Sequence, residues 1–199
     1  MMNAITVPMS DTDVAWSLPD RGRVAMYGLI GAEAAIFTIF VVAYLFYLGK
    51  SLTGPLPHEV LHAPVLLTIC LLSSSLTIHL AVTALRRARS TVFLLWWAFT
   101  IALGAIFLGG TAREWHHLIY DEGLTIRTNL FGTSYYSLVG LHAFHVTVGL
   151  LGLATVLLLA LGGHVREEHT NRLDVLSLYW HFVDVVWVVV FIVVYVIGR

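Results

Sequence analysis

The strongest constraint on this chain of 199 residues is a set of five long apolar runs that take up most of its length. About 20 consecutive apolar residues are enough for a helix to cross the hydrocarbon core of a bilayer. Backbone amides and carbonyls must bond within the segment at that depth, so each run predicts a helix. The runs cover roughly residues 24–48, 60–85, 91–117, 131–161 and 174–197. The sequence therefore predicts an all-α, polytopic membrane protein folded as a bundle of five transmembrane helices.

Composition supports this class and excludes several others. The chain is 58% hydrophobic and only 12% charged, which is too little polar surface for a soluble domain, and its net charge of -1 gives no sign of a nucleic-acid partner. Cys70 is the single cysteine, so an internal disulfide and a site built from several thiolates are both excluded. No nucleophile stands beside a base, and no glycine-rich loop leads into a basic residue. We therefore expect no catalytic residue acting on a soluble substrate.

The positions of the basic residues predict the orientation in the membrane. Cytoplasmic loops carry an excess of lysine and arginine. One side of the bundle would carry Arg21, Arg23, Arg86, Arg87, Arg89, Arg166 and Arg172, and the other Lys50, Arg113, Arg127 and Arg199. This asymmetry favours a cytoplasmic N-terminus. Residues 1–23 have no basic segment followed by an apolar core, so they are interpreted as a short cytoplasmic lead-in, and residues 24–199 as the transmembrane domain.

Ionisable side chains interrupt the apolar runs. Such groups are costly at membrane depth and usually face protein or a water-filled cavity. Residues three apart share one face of a helix, and two histidine-containing pairs have this spacing. We expect the whole set to point inward and to form a polar network between helices: His79, Glu114, His142, His145, His181 and Asp184, with Glu33 as a separate buried carboxyl.

Glu33 lies in the first run among small residues. Gly28 with Ala32, and Gly31 with Ala35, form two pairs of small residues four apart, a pattern that lets another helix approach closely. Glu33 is therefore expected in a helix contact. It would be either a neutral glutamic acid that donates one hydrogen bond to the neighbouring helix, or a proton-responsive or lipid-linked site.

The residue types alone leave three classes of protein open. Imidazole is the usual ligand of haem iron, copper and zinc, and two histidine pairs on separate helices would suit a metal-carrying redox protein. The same residues could form a proton pathway, or they could hold a scaffold together by hydrogen bonds. The adjacent His116 and His117 point about 100° apart on a helix, which favours an exposed interfacial pair over a shared metal ion.

The motifs in the runs resemble those of a known family. The longest is Tyr-Trp-His-Phe-Val-Asp-Val-Val-Trp at 179–187. It is preceded by Gly-Thr-Ser-Tyr-Tyr at 132–136 and Gly-Leu-His-Ala-Phe-His-Val at 140–146. Looser matches follow the family's order at 31–37, 73–79 and 112–115. Together they resemble subunit III of the haem-copper oxidases, most of all that of cytochrome c oxidase.

The resemblance implies an accessory subunit with no haem, copper or other metal of its own. In that family, the redox metals lie in subunits I and II, and subunit III packs beside subunit I, binds phospholipid and helps sustain proton uptake. Glu33 would be the family's buried, proton-linked carboxyl, and the histidines and Asp184 would hold helices together. The expected partners are subunit I, subunit II, other respiratory-complex subunits and lipids, in a bacterial inner membrane.

The sequence departs from the longer, seven-helix form of that family. The residues before Val24 are too few for a further span, so the two N-terminal helices that form one wall of the lipid cleft are expected to be missing. A quinol-oxidase subunit and an accessory protein of nitric oxide reductase are alternatives with the same fold. An independent membrane metalloenzyme using the histidines and Asp184 is the alternative from another class.

Overall fold

The computed structural model describes residues 20–51 and 53–198, and this part of the chain folds into helices and loops without a strand. Five of the helices are long and apolar enough to cross a membrane, which confirms the predicted class. The last helix is preceded by a 3₁₀ turn, Glu167–His169, and continues as a π-helical turn, Ile192–Ile197. The α-helices are α1 (Arg21–Tyr47), α2 (Pro57–Val60), α3 (Val65–Arg86), α4 (Ser90–Tyr120), α5 (Leu130–Leu161) and α6 (Thr170–Phe191). Most of the predicted lead-in lies outside the described residues.

Two helix starts differ from the predicted boundaries. The second span begins at Val65 and not near Val60, because the short α2 intervenes and Pro64 follows it. Proline disfavours the helical conformation in the residue before it, so the membrane helix begins only after Pro64. The last helix begins at Thr170, earlier than the predicted start near Asp174. Asp174 therefore lies on the first turns of α6, where it can reach the ends of other helices.

The four helices α3, α4, α5 and α6 form a closed ring, and α1 packs on α5 and α6. Hydrogen bonds from two buried tryptophans hold this ring of helices together. The indole N–H of Trp97 donates to the carbonyl oxygen of Leu153 at 2.9 Å, and that of Trp180 donates to Ser74 Oγ at 2.8 Å. A large aromatic ring can be buried in this way because its one polar atom has a partner.

Trp180 sets the spacing of three helices. A Cβ atom added to Gly149 on α5 would lie 2.8 Å from its ring, and one added to Gly104 on α4 would lie 2.9 Å from it. The two glycines thus form the walls of the space that the indole fills. This arrangement places the Trp180 side chain of the 179–187 segment between α4 and α5.

The small residues of α1 do not form the helix contact that the sequence predicts. Gly28 and Gly31 are exposed, and a Cβ added at either would meet nothing within 4 Å. No other helix in the described part of the chain approaches this face. The contact of α1 with α5 is made through other residues, among them Phe37 and Glu33.

An ion-pair cluster closes the bundle at the end where α3 finishes and α6 begins. One carboxylate, that of Asp174, lies 3.2 Å from Arg23 Nη2 and 2.5 Å from Arg86 Nη2. It thereby connects α1, α3 and α6. At the opposite end, Asn129 Oδ1 caps α5 by accepting from the amide of Gly132 at 2.8 Å.

Candidate functional site

Glu33 and His145 form the contact between α1 and α5 at membrane depth. Glu33 Oε2 lies 3.0 Å from His145 Nε2, and the side chains retain 22% and 7% of their exposure. The other ring nitrogen, Nδ1, lies 2.7 Å from the carbonyl oxygen of Leu141. The ring of Phe37 packs on the imidazole at a centroid distance of 5.0 Å. The imidazole is therefore fixed on both of its nitrogens.

These contacts restrict where the protons of the pair can be. A carbonyl oxygen only accepts, so Nδ1 of His145 must carry a hydrogen to bond Leu141. A hydrogen bond between Nε2 and Glu33 Oε2 needs a further hydrogen on one of these two atoms. The pair is either a neutral glutamic acid that donates to a neutral imidazole, or a carboxylate that accepts from an imidazolium. Both forms keep the hydrogen bond and therefore the helix contact.

A second cluster lies between α3 and α6, centred on Ser75. Its hydroxyl lies 2.9 Å from His181 Nδ1 and donates to Asp184 Oδ2 in a short hydrogen bond. His181 Nε2 lies 3.2 Å from the hydroxyl of Ser177 on its own helix. Asp184 is 2% exposed, and its Oδ1 is buried without a hydrogen-bond partner among the described residues. Ser75 thus joins the histidine and the carboxyl of the 179–187 segment through a residue of another helix.

His79 lies apart from this cluster. It was expected between helices of the chain, but the structure places it on the exposed side of α3. Its ring makes no hydrogen bond to any residue within 20–51 or 53–198. His79 and Ser75 are one helical turn apart, so the polar edge of α3 extends from the core to the outer surface.

Glu114 belongs to a third cluster, near the opposite end of the bundle. Its Oε1 accepts from the hydroxyl of Tyr195 at 2.9 Å and from that of Tyr135 at 3.3 Å. The two phenol oxygens are themselves 3.3 Å apart. This arrangement links α4, α5 and the π-helical end of the last span. Glu114 also borders a surface cavity of about 650 Å³ lined by His62, Arg113, His117 and Asp121.

His142 packs against aromatic rings. It is fully buried, and neither of its ring nitrogens has a hydrogen-bond partner in the described structure. Its ring stacks at 4.9 Å from Trp187 and meets the ring of Phe107 edge-on at 5.8 Å. His142 therefore does not join the polar contacts of His145, although the two lie three residues apart on α5.

The predicted polar residues thus divide into three hydrogen-bonded clusters and two separate imidazoles, and their roles stay predictions. Within residues 20–51 and 53–198, no three His, Cys, Asp or Glu side chains come close enough to hold one metal ion.

Sequence reasoning missed Tyr135 and Tyr195, the partners of Glu114. A phenol inside an apolar run needs a hydrogen-bond partner, which is the signal that could have indicated them.

An apolar groove lies between α1 and α6, beside the Glu33 cluster. Its volume is about 240 Å³, and its walls include Ala34, Phe37, Val41, Phe182 and Val186. The groove is open to the surface, where Val185 and Val189 of its lining are exposed. Its lining is almost entirely hydrocarbon, which suits an apolar ligand.

The structure so far defines a polytopic membrane protein whose helices are joined by carboxyl, imidazole and hydroxyl groups. A family model described as cytochrome c oxidase subunit III matches residues 30–199. The chain belongs to the cytochrome c oxidase subunit III family.

Relatives with two different names are similar to this chain. Cytochrome c oxidase subunit 3 of Synechocystis is 39% identical over 183 residues, covering 90% of this chain and 77% of the relative. Cytochrome c oxidase subunit 3 of Alkalihalophilus pseudofirmus is 35% identical over 171 residues, 85% of this chain and 83% of the relative. Quinol oxidase subunit 3 of Bacillus subtilis is 30% identical over 184 residues, 90% of both chains. The family is that of an oxidase subunit, and both kinds of oxidase occur among its relatives.

Proposed function

We propose that this chain is a non-redox accessory subunit of a bacterial cytochrome c oxidase, the complex that passes electrons from cytochrome c to oxygen and pumps protons. The observation that carries the proposal is the family match over residues 30–199. The chain would pack on subunit I, near subunit II, in the inner membrane with its N-terminus in the cytoplasm. Haem and copper would be bound by those partners.

The hydrogen bonds of the histidines support a structural role. A metal ligand must offer the ion a ring nitrogen whose lone pair is free. Both ring nitrogens of His145 are engaged by protein groups, and so are both of His181. Through these contacts His145 connects α5 with α1, and His181 connects α6 with α3. Because these imidazoles bond protein groups, they favour a structural subunit over an independent metalloenzyme.

A proton-linked role for Glu33 is part of the same proposal. The Glu33–His145 pair shares one proton that can lie on either residue while the hydrogen bond persists. Such a pair could take up or pass on a proton without separating α1 from α5. The apolar groove beside it would accept the acyl chain of a phospholipid, since its walls carry no charge.

The electron donor distinguishes the main alternative. The relatives named for cytochrome c oxidase are 35% and 39% identical to this chain, whereas the quinol oxidase relative is 30% identical. This difference favours cytochrome c as the donor of the complex. A quinol-oxidase subunit is the second candidate, and an accessory protein of nitric oxide reductase is the third.

Co-purification tests the proposal. The chain would be tagged in its native membrane, the complex isolated in mild detergent, and its chains identified by mass spectrometry. We expect a haem-containing catalytic subunit and oxidation of reduced cytochrome c by the complex. Oxidation of quinol alone would favour the second candidate. A haem spectrum or stoichiometric copper in the isolated chain would contradict the accessory role.

A further inference from the structure

The cavity beside Glu114 opens at the end of the bundle where α4 finishes. We call it the α4 cavity. Its volume is about 650 Å³, against about 30 Å³ for one molecule of liquid water, so it has room for a cluster of waters. Its lining on α4 extends from Gly110 to the exposed Asp121, or about 16 Å of helix. Glu114 therefore lies along a path from the end of the bundle into the membrane span.

Titratable and charged groups reach this cavity and Glu114 from several elements. Asp121, the other carboxyl of the cavity lining, bonds His117 at 2.6 Å, whereas Glu114 bonds phenols. The groups that face Glu114 or share its cavity are His62 from the segment before α3, Arg113, His116, His117 and Asp121 from α4 and its end, Tyr135 and Tyr136 from α5, and Tyr195 from the last span.

The two carboxyl oxygens of Glu114 have different surroundings. Oε1 accepts from the hydroxyls of Tyr195 and Tyr135, at 2.9 and 3.3 Å. Oε2 makes no hydrogen bond to a residue within 20–51 or 53–198, and it is not one of the buried polar atoms that lack a partner. Oε2 is therefore the oxygen with access to water, at the cavity that Glu114 lines.

This difference determines which oxygen can carry a proton. Oε1 accepts hydrogens from two phenols, so the hydrogen of the neutral acid belongs on Oε2. Oε1 remains an acceptor in the neutral acid and in the carboxylate, so the phenols can keep their bonds in both states. Oε1 is thus the structural acceptor of the cluster, and Oε2 is the oxygen that can exchange a proton with water.

The cluster also holds the end of the last span. Tyr195 lies in the π-helical turn Ile192–Ile197 and Tyr135 lies on α5, so one oxygen of Glu114 joins three elements. Such π-helical turns are rare and occur frequently at functional sites. By contrast, Asp184 is 2% exposed and its free oxygen is enclosed. Glu114 combines fixed hydrogen bonds on one side with access to water on the other.

We infer that Glu114 is a proton-binding site that exchanges with bulk water through the α4 cavity, with the proton on Oε2. Protonation transfers a proton from a hydronium ion in the cavity to Oε2, and no electron moves. The site is separate from Glu33, which pairs with His145 across the α1–α5 contact. The distribution of basic residues predicts that α4 finishes on the non-cytoplasmic side, so the proton would enter from that side. The inference does not depend on the electron donor of the complex.

Infrared spectroscopy of the purified complex tests the inference. The C=O stretch of a carboxylic acid absorbs apart from amides and carboxylates, so the difference between the wild type and Glu114→Gln isolates the band of this residue. We expect an acid band that grows as the pH is lowered, is lost in Glu114→Gln, and moves to lower frequency on mixing with D2O. The absence of such a band at every pH at which the complex stays intact would overturn the inference. So would a band that exchanges only after unfolding.

A second variant tests which oxygen carries the proton and leaves the carboxyl in place. Tyr195→Phe removes a donor to Oε1, so the C=O bond should strengthen and the acid band of Glu114 should move to higher frequency. Exchange with D2O should stay fast, because Oε2 is unchanged. Tyr120→Phe is the control, since Tyr120 is 73% exposed at the end of α4, and it should leave the band unshifted. An unshifted band in Tyr195→Phe would contradict the placement of the proton on Oε2.

Chemical modification tests access from water independently. The purified complex would be treated with a charged, water-soluble carbodiimide and a small amine, and its peptides analysed by mass spectrometry. We expect modification of Glu114 together with Glu122, whose side chain is 40% exposed, and none of the enclosed Asp184. Modification of Glu122 without Glu114 would show that the α4 cavity does not connect Glu114 with bulk water, and would overturn the inference.

Discussion

Glu33 and His145 meet across the α1–α5 contact at 3.0 Å, and the second nitrogen of the imidazole is held by the Leu141 carbonyl at 2.7 Å. This geometry holds the imidazole of His145 at both of its ring nitrogens. The Glu33–His145 contact also attaches α1 to α5, since the face of α1 that carries Gly28 and Gly31 meets no other helix within the described chain.

Glu33 should react with a hydrophobic carbodiimide in preference to carboxyls in the loop before α6. Carbodiimides react with a protonated carboxyl in apolar surroundings, and Glu33 is mostly buried whereas the Glu168 side chain is 71% exposed. Labelling of intact membranes followed by peptide mass spectrometry measures the ratio. Glu33→Gln is the control, and equal labelling of Glu33, Glu167 and Glu168 would contradict burial.

A double-mutant cycle on Glu33 and His145 should show coupling. Each side chain bonds the other, so Glu33→Ala and His145→Ala remove the same contact, and their effects should not add. We expect a coupling free energy of about 1 kcal/mol, in the range of hydrogen bonds between membrane helices. Thermal unfolding of the purified complex measures it. Assembly should survive the Glu33→Ala change, and strictly additive effects would show that the contact is absent.

Gly149→Ala and Gly104→Ala should each destabilise the bundle. The added methyl would lie 2.8 or 2.9 Å from the ring of Trp180, which is confined between the two helices. Overpacking of this kind costs about 1–3 kcal/mol. Gly109→Ala on α4 is the matched control, because a Cβ there meets nothing within 4 Å. A thermal midpoint for Gly149→Ala equal to that of the control would contradict this packing.

Asp174→Asn should loosen the end of the bundle in a salt-dependent way. The carboxylate is 16% exposed and accepts from both Arg23 and Arg86, so the change removes two ion pairs at once. Because the arginines are about half exposed, we expect a loss of about 1 kcal/mol at low ionic strength and less at high salt. Asp121→Asn is the control, since Asp121 is 63% exposed and bonds a histidine of the neighbouring turn. A loss unaffected by salt would argue against an electrostatic cause.

The five spans and their order could be predicted from the sequence because the length of an apolar run is a local property. The partners within the bundle could not. The run Ser73-Ser74-Ser75 is polar throughout, yet its three hydroxyls have different environments. Ser74 bonds the indole of Trp180, Ser75 bonds His181 and Asp184, and Ser73 is exposed. Which serine faces which helix depends on the rotation of α3 about its axis, and packing against α4 and α6 sets that rotation.

The spacing of His181 and Asp184 likewise predicted a shared helical face but not the residue that joins them. Ser75 supplies the only hydrogen bond that Asp184 makes through its side chain within the described structure. Ser75→Ala should therefore cost more than a typical hydroxyl deletion, about 1–3 kcal/mol, because it leaves a buried carboxyl unsatisfied.

The same deletion should cost much less when the carboxyl is removed with it. In Ser75→Ala with Asp184→Leu both partners become apolar, so the desolvation penalty of the orphaned carboxyl disappears and the double variant should be more stable than Ser75→Ala alone. Thr155→Ala is the control for loss of a hydroxyl, since that group bonds only its own helix. Thermal midpoints in the assembled complex measure these effects for five proteins, namely the wild type, Ser75→Ala, Asp184→Leu, the double variant and Thr155→Ala. If the double variant were less stable than Ser75→Ala by the full cost of Asp184→Leu, the serine and the carboxyl would be acting independently, contrary to the hydrogen bond between them.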